Sequence, residues 1–284
     1  MINWLKYKFI YFGLSLTLLF IGGYSLLSHG LRLGLDFTGG SLLELQVNAD
    51  LASFKEVIEP ELDVASLQQS SEGSFIIRSG TVDSAKSNQV QEVLRQKFGQ
   101  VNEVRFETIG PILGKELIQK TVFGLGLAVL FILVYLAYRF KDKTFGICAV
   151  LAMLHDSLII LGAFSLLGVW RGVEIDSLFV TAVLTILSFS VHDTIVLYDR
   201  IRENRRLHPQ EEIVALANRS ISETMTRSVN NSLTIIFMLL ALFLLGGDTT
   251  KWFVLALLIG TVSGTYSSPF VAVPLLTFWQ SRSK

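Results

Sequence analysis

The sequence predicts an all-α membrane protein, a six-helix bundle, with a small α+β domain inserted between its first and second spans. Three observations carry this. Six apolar runs of the length needed to cross a bilayer, roughly 20 residues, are distributed along the 284 residues. The composition is 51% hydrophobic and 17% charged, against about 25% charge in an ordinary soluble domain, and the mean hydropathy is +0.52, so the surplus apolar surface needs lipid as its solvent. Between residues 41 and 109 the pattern changes to short alternating strands separated by polar, helix-favouring stretches.

The spans are expected at Phe9 to Leu27, Thr121 to Tyr138, Phe145 to Val169, Leu178 to Leu197, Val229 to Gly246 and Trp252 to Trp279. Lys6 and Lys8 ahead of the first run resemble the start of a signal peptide, but 19 residues is longer than a signal core, and no small-x-small site follows at Ser25 to His29. The first run is therefore expected to stay as an anchor. The last run contains Pro269 and Pro274, which predict a kink or a frayed end. Its Gly260 and Gly264 have the GxxxG spacing of a close helix contact, or are merely tolerated there.

Basic residues resist translocation and are retained on the cytoplasmic side. One side collects Lys6, Lys8, Arg139, Lys141, Lys143, Arg200, Arg202, Arg205, Arg206, Arg219, Arg282 and Lys284, whereas the opposite short loops offer only Arg171 and Lys251. Both termini are expected in the cytoplasm and the inserted domain on the far, periplasmic side. The expected division is 1–28 for the cytoplasmic N-terminus and first span, 29–116 for the inserted domain, and 117–284 for the other five spans with a cytoplasmic loop at 198–226.

Within the insert the expected order is strand, helix, strand, strand, helix, strand. The strands are Leu42 to Val47, Val64 to Gln68, Ser74 to Arg78 and Val101 to Glu107, the helices Leu51 to Ile58 and Val82 to Phe98, and the central turn Ser71, Glu72, Gly73. That is the split βαβ pattern of a ferredoxin-like fold. The insert has no histidine, cysteine or phosphate-binding glycine loop, which points to binding and away from chemistry. After Pro209, Gln210 to Asn218 reads as a short amphipathic helix on the membrane surface.

Charge within the spans needs a reason, because an aspartate at the bilayer centre costs about 3 kcal/mol. His155 and Asp156 lie in the third span; His192 and Asp193 lie in the fourth. Arg227 precedes the fifth and is followed by Asn230, Asn231 and Thr234 on one helical face. Ser220 to Glu223 has the pattern of a capping box. Thr181, Thr185, Ser188 and His192 form a stripe on the fourth span, expected to face inward. Asp193 and Arg227 fit either a buried ion pair holding the bundle together or a proton relay; His155 and Asp156 fit either a relay or a satisfied interhelical hydrogen bond.

The balanced net charge of +0 recommends no nucleic-acid partner. Cys148, the only cysteine, permits no intrachain disulfide and reads as packing. No HExxH, GxSxG or metal-ligand spacing accompanies the histidines, so neither an enzyme nor a metal or other cofactor is expected.

Three motifs in this order make the chain resemble the SecF family of bacterial protein-export subunits, within the resistance-nodulation-division (RND) superfamily. They are Gly34 to Gly40, reading GLDFTGG; Val191 to Asn204, reading VHDTIVLYDRIREN; and Glu223 to Ser232, reading ETMTRSVNNS. The resemblance implies an RND-type half in the bacterial inner membrane that pairs with SecD. It also implies work with the SecYEG translocon, SecA and YajC, in which protons drive late movement of the preprotein. It places proton conduction at Asp193 and Arg227, and gives Asp36, Gly39 and Gly40 a structural role. Preprotein, protons and membrane lipids are the implied contacts. The competing readings are half of a small-molecule exporter of the same superfamily, an intramembrane enzyme, and a passive scaffold.

Overall fold

The computed structural model describes residues 3–69, 73–140 and 142–282, without the side chains of 248 and 249. The expected turn residues Ser71 and Glu72, and the topogenic Lys141 and Lys284, lie outside the described residues. The chain divides into two compact units, Leu33–Phe123 and the combination of Met1–Arg32 with Gly124–Lys284.

The first unit opens with a single helical turn, α2 (Leu35–Thr38), that follows α1 (Lys8–His29). Strands β1 (Gly40–Val47), β2 (Val64–Gln69), β3 (Ser74–Ser79) and β4 (Val101–Ile109) alternate with helices α3 (Leu51–Ile58) and α4 (Ser84–Phe98). The strand order is β2-β3-β1-β4, with every neighbour antiparallel, which is the ferredoxin-like topology. Both helices start on an aspartate cap: Asp50 accepts from Ser53 N at 3.0 Å and Asp83 from Lys86 N at 2.8 Å. Asp83 is also why α4 starts two residues after the expected Val82, whose N–H is taken instead by Ser41 Oγ at 2.7 Å. Period-2 alternation sends Leu43, Leu45, Phe75 and Ile77 to the helix-covered face, where Phe54 stacks on Phe75 with ring centroids 4.0 Å apart.

The sheet begins at a double glycine. Gly39 has φ +67° and Gly40 φ +110°, conformations that L side chains rarely adopt. A Cβ on Gly40 would lie 2.6 Å from the Ser79 carbonyl oxygen, and one on Gly39 2.8 Å from Pro111 Cα. Asp36 lies in the turn of α2, just before this pair.

The second unit is helical. Six described segments are long and apolar enough to cross a membrane: Trp4–His29, Pro111–Arg139 (α5), Lys143–Arg171 (α6), Ser177–Leu207 (α7), Ile213–Leu245 (α8) and Thr250–Arg282. The sixth consists of α9 (Asp248–Ser267), a π-helical turn (Ser268–Ala272) and α10 (Val273–Arg282). Pro269 and Pro274 each remove an N–H from the ladder, and the chain answers with the wider turn, Val273 N–H bonding Ser268 O. Gly260 packs against Ile186, where a Cβ would come within 2.4 Å, and Gly264 against Ser190, so the GxxxG pair is the seam between α9 and α7. Helix α1 meets α6 through Gly22 and Gly162.

Two expectations about the start of the fifth span are corrected. No separate surface helix exists at 210–218: α8 runs unbroken from Ile213, because Leu216, Ala217 and Ile221 are buried and continue the same packed stripe. Ser220 is consequently not a helix cap. Its hydroxyl bonds Leu216 O at 2.8 Å inside the helix and accepts from Asn204 Nδ2 at 2.9 Å.

Candidate functional site

The fourth span decides which side chains meet. Its buried stripe is Ala182, Ile186, Ser190, Thr194 and Tyr198, one residue per turn. The expected inward seam is corrected: Thr181, Thr185, Ser188 and His192 lie on the exposed face of α7, and Arg227, Asn230, Asn231 and Thr234 on the exposed face of α8. The small residues that let α9 approach select the other face. The Thr181 and Thr185 hydroxyls are satisfied by their own helix, bonding Ser177 O and Thr181 O at 3.0 and 2.8 Å, and so need no inward partner.

Asp193 lies at the border of the two faces and is partly buried. Ser228 Oγ donates to its Oδ1 at 2.7 Å, and Ser268, the His192 ring and the Arg227 guanidinium are within electrostatic reach of the same carboxylate. Asp193 and Arg227 line one cavity of about 20 Å³ with Ser228, Thr224 and Pro269 among its other walls, room for about one water. Arg227 also lines the adjoining cavity of about 460 Å³, with Asp199, Arg200, Glu203 and Glu223. Among the described residues no ion pair joins Asp193 to Arg227, so the reading of the two as a buried structural pair is not what the geometry shows. The arginine stands between a small chamber at the carboxylate and a wide polar chamber, placed to act on the charge of Asp193 through space.

Asp156 is 1% exposed and His155 7%. Ser263 Oγ and His155 Nδ1 reach Asp156 Oδ1 at 2.6 and 3.0 Å, while Ser190 Oγ and Ser267 Oγ reach Oδ2 at 2.5 and 2.6 Å. Three helices therefore converge on one carboxylate. No group of three or more metal-ligating side chains occurs among the described residues.

The sequence profile described as "Protein export membrane protein SecD/SecF, C-terminal" matches residues 89–282, and the profile of the "SecD/SecF GG Motif" matches residues 24–50. The chain belongs to the SecD/SecF family of protein export membrane proteins. It is 41% identical to the protein translocase subunit SecF of Thermobaculum terrenum, over 99% of this chain and 95% of that protein, and 36% identical to that of Anaerolinea thermophila over the same shares. The crystal structure of SecDF, a translocon-associated membrane protein from Thermus thermophilus, superposes with a TM-score of 0.88 at 31% identity. That match covers 99% of this chain and 39% of the SecDF chain.

In this SecF-like subunit, Gly39 and Gly40 fall within the matched GG motif, where both carry positive φ. Sequence reasoning missed Ser190, Ser228, Ser263 and Ser267, which supply most of the hydrogen bonds to the two carboxylates, and the pair Thr194 and Ser268, which bond each other beside them. Their signal was present as hydroxyl residues four apart in apolar helices, Ser190 with Thr194 and Ser263 with Ser267. At the far end of the α7 stripe Tyr198 Oη donates to Ala272 O at 2.9 Å and ties α7 to the π-helical turn.

Proposed function

We propose that this SecF-like subunit converts the proton-motive force into late movement of a preprotein, with reversible protonation of Asp193 as the coupled event. The observation that carries the reading is the placement of Asp193, held by Ser228 and facing Arg227 across a water-sized cavity without an ion pair. A proton arriving on Asp193 removes the charge that Arg227 attracts, and the two helices lose that restraint. One charge crossing 100 mV is worth about 2.3 kcal/mol, so a few protons bias a helix movement.

The reading places the chain in the bacterial inner membrane with both termini cytoplasmic, on the asymmetry of its basic loops. Its partner is a SecD-like second half, as in the fused SecDF of Thermus thermophilus. The exposed polar faces of α7 and α8, with Ser188, His192, Asn230 and Asn231, support a protein neighbour there, because bare amides facing lipid are costly. SecYEG, SecA and YajC are the further proposed associates, and no covalent chemistry is assigned to the chain.

The test is preprotein export from inverted membrane vesicles with and without a proton gradient. Asp193→Asn is expected to keep insertion and basal, gradient-independent export while losing the stimulation by the gradient; undiminished stimulation in that variant removes the proposal.

A further inference from the structure

The cage around Asp156 uses all four acceptor positions of its carboxylate, and the three hydroxyl bonds of 2.5 to 2.6 Å fall in the range of charge-assisted contacts. An uncompensated anion in the interior of a membrane bundle is costly. Helix α6 has no lysine or arginine between Lys143 and Arg171. Of the ionisable side chains on the elements packed against this part of α6, α7 offers His192 and Asp193, α9 offers Tyr266, and α1 offers Tyr11 and Tyr24. The basic group in contact with the carboxylate is His155. Its Nε2 is buried without a hydrogen-bond partner among the described residues. Charge balance therefore assigns the pair one proton, held on either ring or carboxyl. The unpaired ring nitrogen is an open position through which that proton can exchange.

A row of hydroxyls runs from this pair towards Asp193. Ser267 Oγ bonds Asp156 Oδ2 at 2.6 Å. The next residue, Ser268, meets Thr194 Oγ1 at 3.0 Å and lies within electrostatic reach of Asp193. The row is interrupted between Ser267 and Ser268: among the described residues no hydrogen bond joins their hydroxyls, and the Gly264 carbonyl lies within reach of both, at 3.3 and 3.2 Å, as a second, longer acceptor for Ser267. The interruption falls where the π-helical turn begins, a local geometry frequently found at functional sites.

We propose that Asp156 and His155 form a second proton-binding site in series with Asp193, joined to it by Ser267, Ser268 and Thr194 and gated at the π-helical turn. This deepens the proton-coupled reading of Asp193 and rests on it. When the turn rearranges and the two serines release Gly264 O, each hydroxyl accepts one proton and passes one on. One proton then leaves the pair, one arrives at Asp193, and every hydroxyl ends neutral.

The test combines infrared difference spectra across a pH step, on the full chain in lipid vesicles, with proton flux through vesicles that also contain a SecD-like partner. Asp156→Asn is expected to lose one protonated-carboxyl band and keep a second; Asp193→Asn loses the second and keeps the first. Asp156→Glu restores a band, which separates loss of titration from loss of folding. Ser267→Ala with Thr194→Val keeps both bands and slows flux by about a hundredfold, the low end of what a positioned proton-transfer group supplies. A spectrum unchanged at both the protonated-carboxyl and the imidazole frequencies in Asp156→Asn overturns the second site, because a permanently ionised structural carboxylate beside a neutral ring changes neither. Unslowed flux in the hydroxyl variant overturns the connection in series. Neither result touches the reading of Asp193, which fails on its own if Asp193→Asn conducts normally.

Discussion

Ser228, and not the neighbouring Arg227, holds the Asp193 carboxylate, donating from Oγ to Oδ1 at 2.7 Å. The arginine acts across a cavity, so its charge should matter more than its fork of donors. Arg227→Lys is therefore expected to keep a substantial part of gradient-stimulated export and Arg227→Gln to lose it, in vesicles with a measured proton gradient. Equal loss in both would mean that a bidentate contact forms in another state.

The double glycine gives a prediction with its own control. Gly40→Ala meets both an unfavourable φ of +110° and the Ser79 carbonyl oxygen 2.6 Å from the new Cβ. It should destabilise the ferredoxin-like unit by more than about 2 kcal/mol, because strain of about 1–3 kcal/mol at such a φ is joined by a backbone clash. Gly73→Ala has φ +82° and nothing within 4 Å, and should cost only the conformational part, about 1 kcal/mol. Denaturant titration of the purified chain, followed by protease resistance of the unit, ranks the two.

Asp50 supplies a pH signature. Hydrogen bonds from the Ser53 side chain and then its backbone N–H hold the carboxyl below its ordinary value. A folded-state value below the unfolded one stabilises the fold above the unfolded pKa of about 3.9, and this contribution disappears as pH falls through the lower folded value. The ferredoxin-like unit should lose stability in that acid window. Asp50→Asn, which still caps α3 but does not titrate, should flatten that part of a plot of melting temperature against pH.

The fold was legible because lipid and a half-covered sheet leave different periods in the sequence. Phe145 to Val169 can only be a span, and the alternation at Leu43, Leu45 and Val47 marks one buried face of a strand. The inward face of α7 was not legible. Thr181, Thr185, Ser188 and His192 and the true buried row of Ser190, Thr194 and Tyr198 are both polar stripes of helical period. Lipid is as apolar as the bundle core, so hydrophobicity does not tell the inside of a membrane helix from its outside. What decides is the fit of Ile186 against Gly260 and of Ser190 against Gly264, a property of two distant segments. The capping pattern at Ser220 to Glu223 misled for a related reason: burial of Ala217 and Ile221 carries the helix through a sequence that would begin one in isolation. Asp193 and Asp156 stood out as charges in apolar runs, whereas their serine partners did not, since a serine in a membrane helix is unremarkable until its neighbour is known.

The same logic of small residues fixes the anchor helix. A Cβ on Gly162 would lie 2.6 Å from Gly22 Cα, and a turn further along Ser25 Oγ and Ser165 Oγ are 2.8 Å apart. That approach leaves no room for a side chain between α1 and α6. Cysteines introduced at Ser25 and Ser165 should cross-link rapidly under mild oxidation, because side chains that close suit disulfide geometry. Adding Gly162→Leu to that pair should abolish the cross-link by forcing the helices apart, whereas Gly13→Leu, at a position with nothing within 4 Å, should leave it intact. Cross-linking that persists with Gly162→Leu would show that α1 slides along α6 instead of separating, and a scan of cysteines one turn to either side of Ser165 would then locate the new register.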